Sequence, residues 1–228
     1  MRDVLKKSEL PLYNTMSNKD IAVLALSAML VFALVSLRPD IPSYFISLLI
    51  FLIPFCGFFY VCRGKLNLIV KRFHKFDLAY IVAYAILYYI FALASVALWS
   101  YLGFPLKPNI IVSVNKDALF WLVFFIQIFG EELFKLSMFF TALSILYKHA
   151  SRIDNYALAI SVLFATFLFA AAHAHAYGGI LQPLMIIGIG NIVLILEYVQ
   201  SKNVAVPYVS HVIVDMIPLM ATMFLFIC

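Results

Sequence analysis

The stretch FGEELFK (residues 129–135) places two carboxylates and one ammonium within an apolar run that extends from residue 117 to residue 147. An ionised side chain at the centre of a bilayer costs about 2.5 to 3.5 kcal/mol on insertion scales. A long apolar run with such an interruption is typical of a membrane-spanning helix whose charged residues face other protein groups. Ionisable residues inside a span are therefore candidates for function.

The composition of the whole chain agrees with a membrane location. Of its 228 residues, 65% are hydrophobic and only 12% are charged, and the mean hydropathy is +1.04. Soluble domains are roughly half apolar, so we expect lipid to be the main solvent of this chain. The polar segments are too short to bury a core of their own, and we predict a single membrane domain over residues 1–228.

Seven apolar runs are each long enough to cross a bilayer core about 30 Å thick, which takes about 20 helical residues. The runs lie at residues 20–37, 41–62, 77–101, 117–147, 155–176, 178–199 and 204–228. The first 19 residues are polar, so we expect the first run to be retained as a span. The predicted fold class is all-α, a polytopic transmembrane helical bundle of about seven spans.

The distribution of lysine and arginine predicts the orientation, because basic residues in short loops stay on the cytoplasmic side. A cytoplasmic N-terminus places most of the 16 basic residues inside and the C-terminus on the opposite side. The inner residues are Arg2, Lys6, Lys7, Lys19, Arg63, Lys65, Lys71, Arg72, Lys75, Lys148, Arg152 and Lys202. The net charge of +5 is thus mainly a topology signal, and no basic domain for nucleic acid is present.

Helical spacing assigns the polar residues of the fourth run to two faces. Gln127, Glu131 and Lys135 follow at intervals of four and share one face, while Glu132 points about 100° away. Two carboxylates beside one ammonium can divide into a base and a protonated acid in an apolar setting. The alternative is a structural ion pair between Glu131 and Lys135.

The later runs supply histidines. His173 lies near the end of the fifth run after a series of small residues, and His211 shares one face of the seventh run with Asp215 at a spacing of four. A carboxylate one turn from an imidazole can fix its tautomer or orient a bound water. Either histidine alone could instead be a core residue that bonds to a neighbouring helix.

Three other polar residues lie in or near the sixth run. Glu197 and Lys202 are close to its end and are interpreted as an interfacial polar rim. Asn191 is open to two interpretations, since it could bond between helices or line a polar site. The three cysteines show no metal spacing and are interpreted as packing residues.

The combination of these groups indicates hydrolysis. Glu131, His173 and His211 on three separate runs could hold and deprotonate a water, with or without a divalent metal such as zinc, and then protonate a leaving amine. The His-Glu-x-x-His signature of soluble zinc proteases is missing, so the pattern leaves a metal open. The same three residues are the candidate metal ligands.

The order of the motifs resembles the CAAX protease and bacteriocin-processing (CPBP/Abi) family of intramembrane proteases. Glu-Glu, then Phe-x-x-x-His ending at His173, then His-x-x-x-Asp follow one another within a catalytic-like core at about residues 117–220. The resemblance implies that Glu131 activates water. It also implies that Glu132, His173, His211 and Asp215 complete the site, with His211 or Asp215 steadying the oxyanion.

The chain departs from the family pattern in one motif. The family has Glu-Glu-x-x-x-Arg, whereas Leu136 stands at the arginine position and Lys135 precedes it. Glu-Glu-x-x-Lys together with His-x-x-x-Asp is similar to the PrsW-type proteases of the same superfamily, whose middle motif ends in glutamate where this chain has His173. Lys135 is therefore taken as a supporting residue of the site.

The leading hypothesis is an intramembrane endopeptidase acting on a membrane-embedded or membrane-proximal peptide, prenylated peptides included. Its expected partners are membrane lipid and a peptide or membrane-protein substrate. The alternatives are a non-catalytic scaffold or bacteriocin-immunity and regulatory protein of the same family, and an ion or proton pathway.

One geometric condition must be met for the site to close. His173 lies about 18 residues along the fifth run, roughly 27 Å at 1.5 Å per residue, whereas His211 is only about 7 residues into the seventh. The fifth helix must therefore tilt or start below the membrane surface, or the sixth run must be partly re-entrant.

Overall fold

The computed structural model describes residues 10–37, 41–107, 117–150 and 155–225. Within these ranges the chain forms seven long helices and no strand, which confirms the predicted all-α class. The helices are α1 (Asn18–Leu37), α2 (Ser43–Val61), α3 (Asp77–Tyr101), α4 (Ala118–Ala150), α5 (Asn155–Ala172), α6 (Leu181–Ser201) and α7 (Ala205–Leu225). The third run is predicted with its correct ends, and the other runs differ from the helices by a few residues.

The outer surface of the bundle is apolar. Four of the helices in the described ranges, α1, α2, α3 and α6, are long and apolar enough to cross a membrane. Tyr156–Ala172 and Ala205–Ala221 are shorter apolar helices, and α4 is 33 residues long but carries the charged cluster. Large side chains such as Leu93 of α3 are exposed on the outside, as expected of a helix that faces lipid.

The first helix begins at a capping box. The backbone N–H of Ser17 donates to Asp20 over 2.9 Å, and the N–H of Asp20 donates to the Ser17 hydroxyl over 3.2 Å. Asp20 also pairs with Arg63 at 2.8 Å, just beyond the end of α2. The start of α1 and the end of α2 therefore lie at the same end of the bundle.

Helix α4 occupies the centre and contacts α1, α2, α5 and α7. Gly130 allows the closest of these approaches, because a Cβ there would lie 2.6 Å from the Cα of Phe51 and 2.7 Å from the carbonyl oxygen of Ile50 in α2. A glycine in this position lets two helix backbones come close together. This contact sets the position of the helical turn that begins with Glu131.

Helix α6 packs on α3, α5 and α7. Its first turns include Pro183 and a wider π-helical segment at Leu184–Gly188. The Asn191 amide donates to the Thr166 hydroxyl of α5 over 3.3 Å. Of the two interpretations left open for Asn191, the structure therefore shows the bond between helices.

The chain between α5 and α6 differs from the predicted pattern. Helix α5 ends at Ala172 where the run predicts 176, and residues 173–180 form turns before α6 begins at Leu181. Gly178 and Gly179 have φ angles of 65° and 158°, which side chains with a Cβ rarely adopt. Small apolar residues extend the hydrophobic run past the point at which the backbone leaves the helix.

Candidate active site

The predicted site residues come from two helices and one turn. Glu131, Glu132 and Lys135 lie on α4, and His211 and Asp215 lie on α7, which contacts α4 directly. His173 lies in the turn that follows α5. The packing of α4 against α7 therefore joins residues that are about 80 positions apart in the sequence.

Glu132 and His211 form the buried half of the site. Nδ1 of His211 lies 2.7 Å from Oε1 of Glu132, and both residues are buried. An ionised carboxylate only accepts hydrogen bonds, so this contact assigns the hydrogen to Nδ1. The other ring nitrogen, Nε2, then points away from Glu132.

Lys135 pairs with Glu132, so the predicted ion pair between Glu131 and Lys135 is wrong. The ammonium donates to Oε1 of Glu132 and lies 3.4 Å from Nδ1 of His211. It also lies 4.8 Å from the centre of the Phe169 ring of α5, within the range of a cation–π contact. A spacing of three directs Lys135 toward α5 and α7, where its charge offsets that of the buried Glu132.

Glu131 is held by a different set of partners. The Gln127 amide donates to Oε1 of Glu131 over 2.8 Å, and the Ser47 hydroxyl of α2 donates to the Gln127 oxygen over 2.6 Å. The structure thus shows Gln127 and Glu131 on one face, as their spacing predicts. One carboxylate oxygen is fixed by neutral groups, and Oε2 remains directed toward α7.

Nε2 of His211 faces Glu131 and Asp215 across a gap that is longer than a hydrogen bond. Nε2 of His211 is 4.0 Å from Oε2 of Glu131 and 3.6 Å from Oδ2 of Asp215. Two polar groups at this separation can share one water that lies beside the line between them. The side chains of Glu131 and Asp215 are 14% and 40% exposed, so the gap opens on their side.

His173 lies at the edge of this arrangement. Its Nδ1 donates to the Phe169 carbonyl over 2.8 Å, and its ring packs against the Phe169 ring with centroids 4.7 Å apart. It interacts electrostatically with Asp215, which lies one turn beyond His211 on α7. Helix α5 ends before His173, so this residue lies in a turn, and Asp215 extends the site along α7.

One family model is similar to part of this chain. Residues 113–217 match the family model described as Type II CAAX prenyl endopeptidase Rce1-like. This segment, slightly less than half of the chain, is similar to the Rce1-like family. The match confirms the family resemblance stated from the motifs, while the PrsW-like features stay a prediction. No curated protein and no solved structure was found to match the chain.

The Rce1-like segment contains the predicted site residues from Glu131 to Asp215. Helices α1, α2 and α3 precede it, and several large apolar helices surround the site. The chain is thus an integral membrane protein. Groups that reach the site from α2 and α3, such as Ser47, lie outside the matched segment.

The candidate metal ligands named from the sequence are Glu131, His173 and His211. Among the described residues, no group of three His, Cys, Asp or Glu side chains is placed to hold a metal ion. His173 and His211 each use Nδ1 in a hydrogen bond, which leaves Nε2 as the ring nitrogen that could bind a metal. A divalent metal such as zinc stays a prediction from the sequence.

The position of Glu197 in the structure differs clearly from the position that the sequence predicts. The predicted interfacial rim is wrong for this residue, because Glu197 is fully buried and its Oε1 lies within hydrogen-bond distance of the Ser210 hydroxyl, at 2.6 Å. It interacts electrostatically with Glu132 and Lys135. Its position near the end of a run predicts exposure, but the packing of α6 against α7 overrides that expectation.

Two further residues of the site have little signal in the sequence. Ser47 is a single hydroxyl in an apolar run, and Tyr88 is one of many aromatic residues in α3. Tyr88 packs where Gly190 of α6 lacks a side chain, because a Cβ there would lie 2.3 Å from its ring. It interacts electrostatically with Asp215 and Glu131. A serine within an apolar span is a hint for Ser47, whereas Tyr88 has no comparable signal in the sequence.

Proposed function

We propose that this protein is an intramembrane endopeptidase that hydrolyses a peptide bond in a membrane-embedded or membrane-proximal substrate, prenylated peptides included. The observation that carries the proposal is the gap between Oε2 of Glu131 and Nε2 of His211, 4.0 Å across. The Rce1-like segment supports the same reaction class.

The proposed reaction uses a water held in this gap. Glu131 accepts a proton from the water as its oxygen attacks the carbonyl carbon of the peptide bond. In its protonated form, His211 donates its Nε2–H to the oxygen that gains negative charge. Glu131 then transfers its proton to the leaving nitrogen as the carbon–nitrogen bond breaks. Glu132 keeps His211 in place, and Lys135 balances the charge of Glu132.

Glu131→Gln is the direct test. We expect turnover to fall by a factor of about 100 or more, the lower range for general base catalysis, with an unchanged unfolding temperature. The purified protein is assayed in nanodiscs against a panel of membrane peptides with and without a prenyl group. Asp117→Asn is the matched control, since this carboxylate caps the first turn of α4 through the Phe120 N–H. Undiminished turnover of Glu131→Gln would exclude the proposed base.

A chelation experiment addresses the metal separately. The scheme contains no metal step, so turnover should persist after dialysis against a strong chelator. Loss of turnover that zinc alone restores would assign a metal to the site and replace the scheme. The same peptide panel serves as the assay.

A second candidate function is non-catalytic binding of a partner peptide, as in a scaffold or immunity protein. It is favoured by the absence of the family arginine at Leu136, which is a buried apolar residue here. The position of Lys135 on Glu132 weighs against it, because a cation is supplied from the neighbouring position. A His173→Ala variant that keeps the cellular phenotype of the wild type would support this alternative.

A further inference from the structure

Glu197 is a buried carboxyl group that the proposed reaction does not use. It lies on α6 with no exposed surface, and its Oε1 contacts the Ser210 hydroxyl at 2.6 Å. Its second oxygen, Oε2, is buried without a hydrogen-bond partner in the described part of the chain. An ionised carboxylate with a bare buried oxygen is costly.

Ser210 connects this carboxyl group to the active site. It is the residue directly before His211, and its hydroxyl also lies 3.4 Å from the carbonyl oxygen of Ile81 in α3. Glu197, Ser210 and Ile81 thus form a line of contacts from α6 through α7 to α3. The line meets α7 one residue away from the imidazole that faces Glu131.

The number of hydrogens available to these groups indicates the protonation form of Glu197. A serine hydroxyl has one hydrogen, and a carboxylate and a backbone carbonyl only accept. If Glu197 is ionised, Ser210 fully satisfies only one of its two acceptors. If Glu197 is a carboxylic acid, it donates to the Ser210 oxygen, and Ser210 donates to the Ile81 carbonyl.

The charges around Glu197 also favour the protonated carboxylic acid. The groups that interact with it electrostatically are Tyr84 on α3 and Glu132 and Lys135 on α4. Lys135 is the one cation among them, and its ammonium already bonds to Glu132. No second cation among these neighbours compensates an ionised Glu197.

We propose that Glu197 is a positioning residue of the active site, a neutral carboxylic acid that fixes α7 through Ser210 so that His211 meets Glu132 and faces Glu131. As a contribution to turnover, this role rests on the proposed peptidase function. Glu197 does not contact the gap itself, so it acts through Ser210.

Infrared spectroscopy tests the protonation form without any activity assay. The protein in nanodiscs near neutral pH should show the carbonyl-stretch band of a protonated carboxylic acid, and Glu197→Gln should remove it. Comparison with Asp215→Asn separates Glu197 from the more exposed acid of the site. A band that is absent from the wild type, or that persists in Glu197→Gln, overturns the proposal even if no substrate is found.

Kinetics test the positioning role. Glu197→Gln keeps a donor for Ser210 and should retain kcat within about threefold, whereas Glu197→Ala should lower kcat about tenfold with little change in KM, the effect of one lost hydrogen bond. Ser210→Ala should have a similar effect, and the double alanine variant should be no worse than either single one. Glu197→Gln as inactive as Glu197→Ala would mean that the charge is needed and would overturn the proposal.

A matched control separates positioning from general stability. Asn191→Ala removes another buried polar contact of α6, the bond to Thr166. It should lower the unfolding temperature and leave kcat unchanged. If Asn191→Ala reduces kcat as much as Glu197→Ala, the effect belongs to helix packing, and the positioning role is lost. The peptidase proposal is tested separately. It holds if the wild type cleaves a peptide and Glu131→Gln does not.

Discussion

Glu131 and Glu132 are adjacent, yet their surroundings give them different roles. Glu131 is partly exposed and is held by the neutral Gln127 amide. Glu132 is buried and is surrounded by the Lys135 ammonium and the His211 ring. A base must exchange protons with water and substrate, whereas a buried, charge-paired carboxylate keeps its charge. The first glutamate suits proton transfer, and the second suits fixing the imidazole.

Lys135→Met tests the charge balance at Glu132. The substitution leaves a buried carboxylate without its cation, and breaking a buried pair in this way costs about 3 to 5 kcal/mol. We expect a correspondingly lower free energy of unfolding in detergent, measured by chemical denaturation. Adding Glu132→Gln should recover most of the loss, while turnover stays low because His211 has lost its carboxylate. A Lys135→Met variant as stable as the wild type would contradict the pairing of Lys135 with Glu132.

Gln127→Leu tests the support of the proposed base. A hydrogen bond to a charged group contributes about 1.5 to 3 kcal/mol, so we expect kcat to fall at least tenfold as Glu131 loses its orientation. Ser47→Ala should have a smaller effect, because Ser47 acts on Glu131 only through Gln127. Ser137→Ala is the control on α4, since this hydroxyl bonds the carbonyl of Leu133 in its own helix. An unchanged kcat for Gln127→Leu would remove Gln127 from the site.

At the scale of helices, Gly130→Ala tests whether the approach of α2 to α4 positions Glu131. The added Cβ would meet the α2 backbone at 2.6 Å, and overpacking of this kind costs about 1 to 3 kcal/mol. We expect a lower unfolding temperature and reduced turnover. Gly188→Ala is the matched control, because its Cβ would come no closer than 3.4 Å to Thr166. Equal effects of the two variants would show that this helix contact is unimportant for the site.

Hydrophobic runs and helical spacing predict much of this architecture and part of the site. The run at 77–101 matches α3, and the spacing of Gln127 with Glu131 and of His211 with Asp215 predicts faces that the structure contains. Spacing gives the face of one helix but not the neighbour that the face meets. Lys135 pairs with Glu132 and not with Glu131 because it is directed toward α5 and α7, so this pairing could not be predicted from α4 alone.

The burial of Glu197 has a cause at the same scale. The loop between α2 and α3 covers the end of α6, since the Val204 N–H donates to the Ile69 carbonyl over 2.9 Å and the Lys71 N–H donates to Asn203 over 2.9 Å. These contacts join residues about 130 positions apart. A residue two positions before the end of a hydrophobic run looks exposed unless such a loop is known to cover it.

At the scale of the whole molecule, contacts at one end of the bundle gather the basic segments. Lys148 at the end of α4 donates to Asn18 at the start of α1 over 2.6 Å, and Arg63 pairs with Asp20. The segment that contains Lys71 bonds the turn before α7. His211 is six residues beyond the first residue of α7, roughly 9 Å along the helix. On α7 the candidate active site therefore lies near this basic end, whereas on α4 Glu131 is 19 residues, roughly 28 Å, from the helix end at Ala150.

The positive-inside rule predicts that this basic end faces the cytoplasm, with the N-terminus inside and the C-terminus on the opposite side. Single cysteines at Lys65 and Phe104, both exposed at opposite ends of α3, test the prediction in a variant whose native cysteines are replaced by serine. A membrane-impermeant maleimide should label the Phe104→Cys variant in intact cells. It should label Lys65→Cys only after the membrane is permeabilised. The reverse pattern would place the basic end, and with it the gap beside His211, toward the outer side, where a peptide substrate would have to approach from outside the cell.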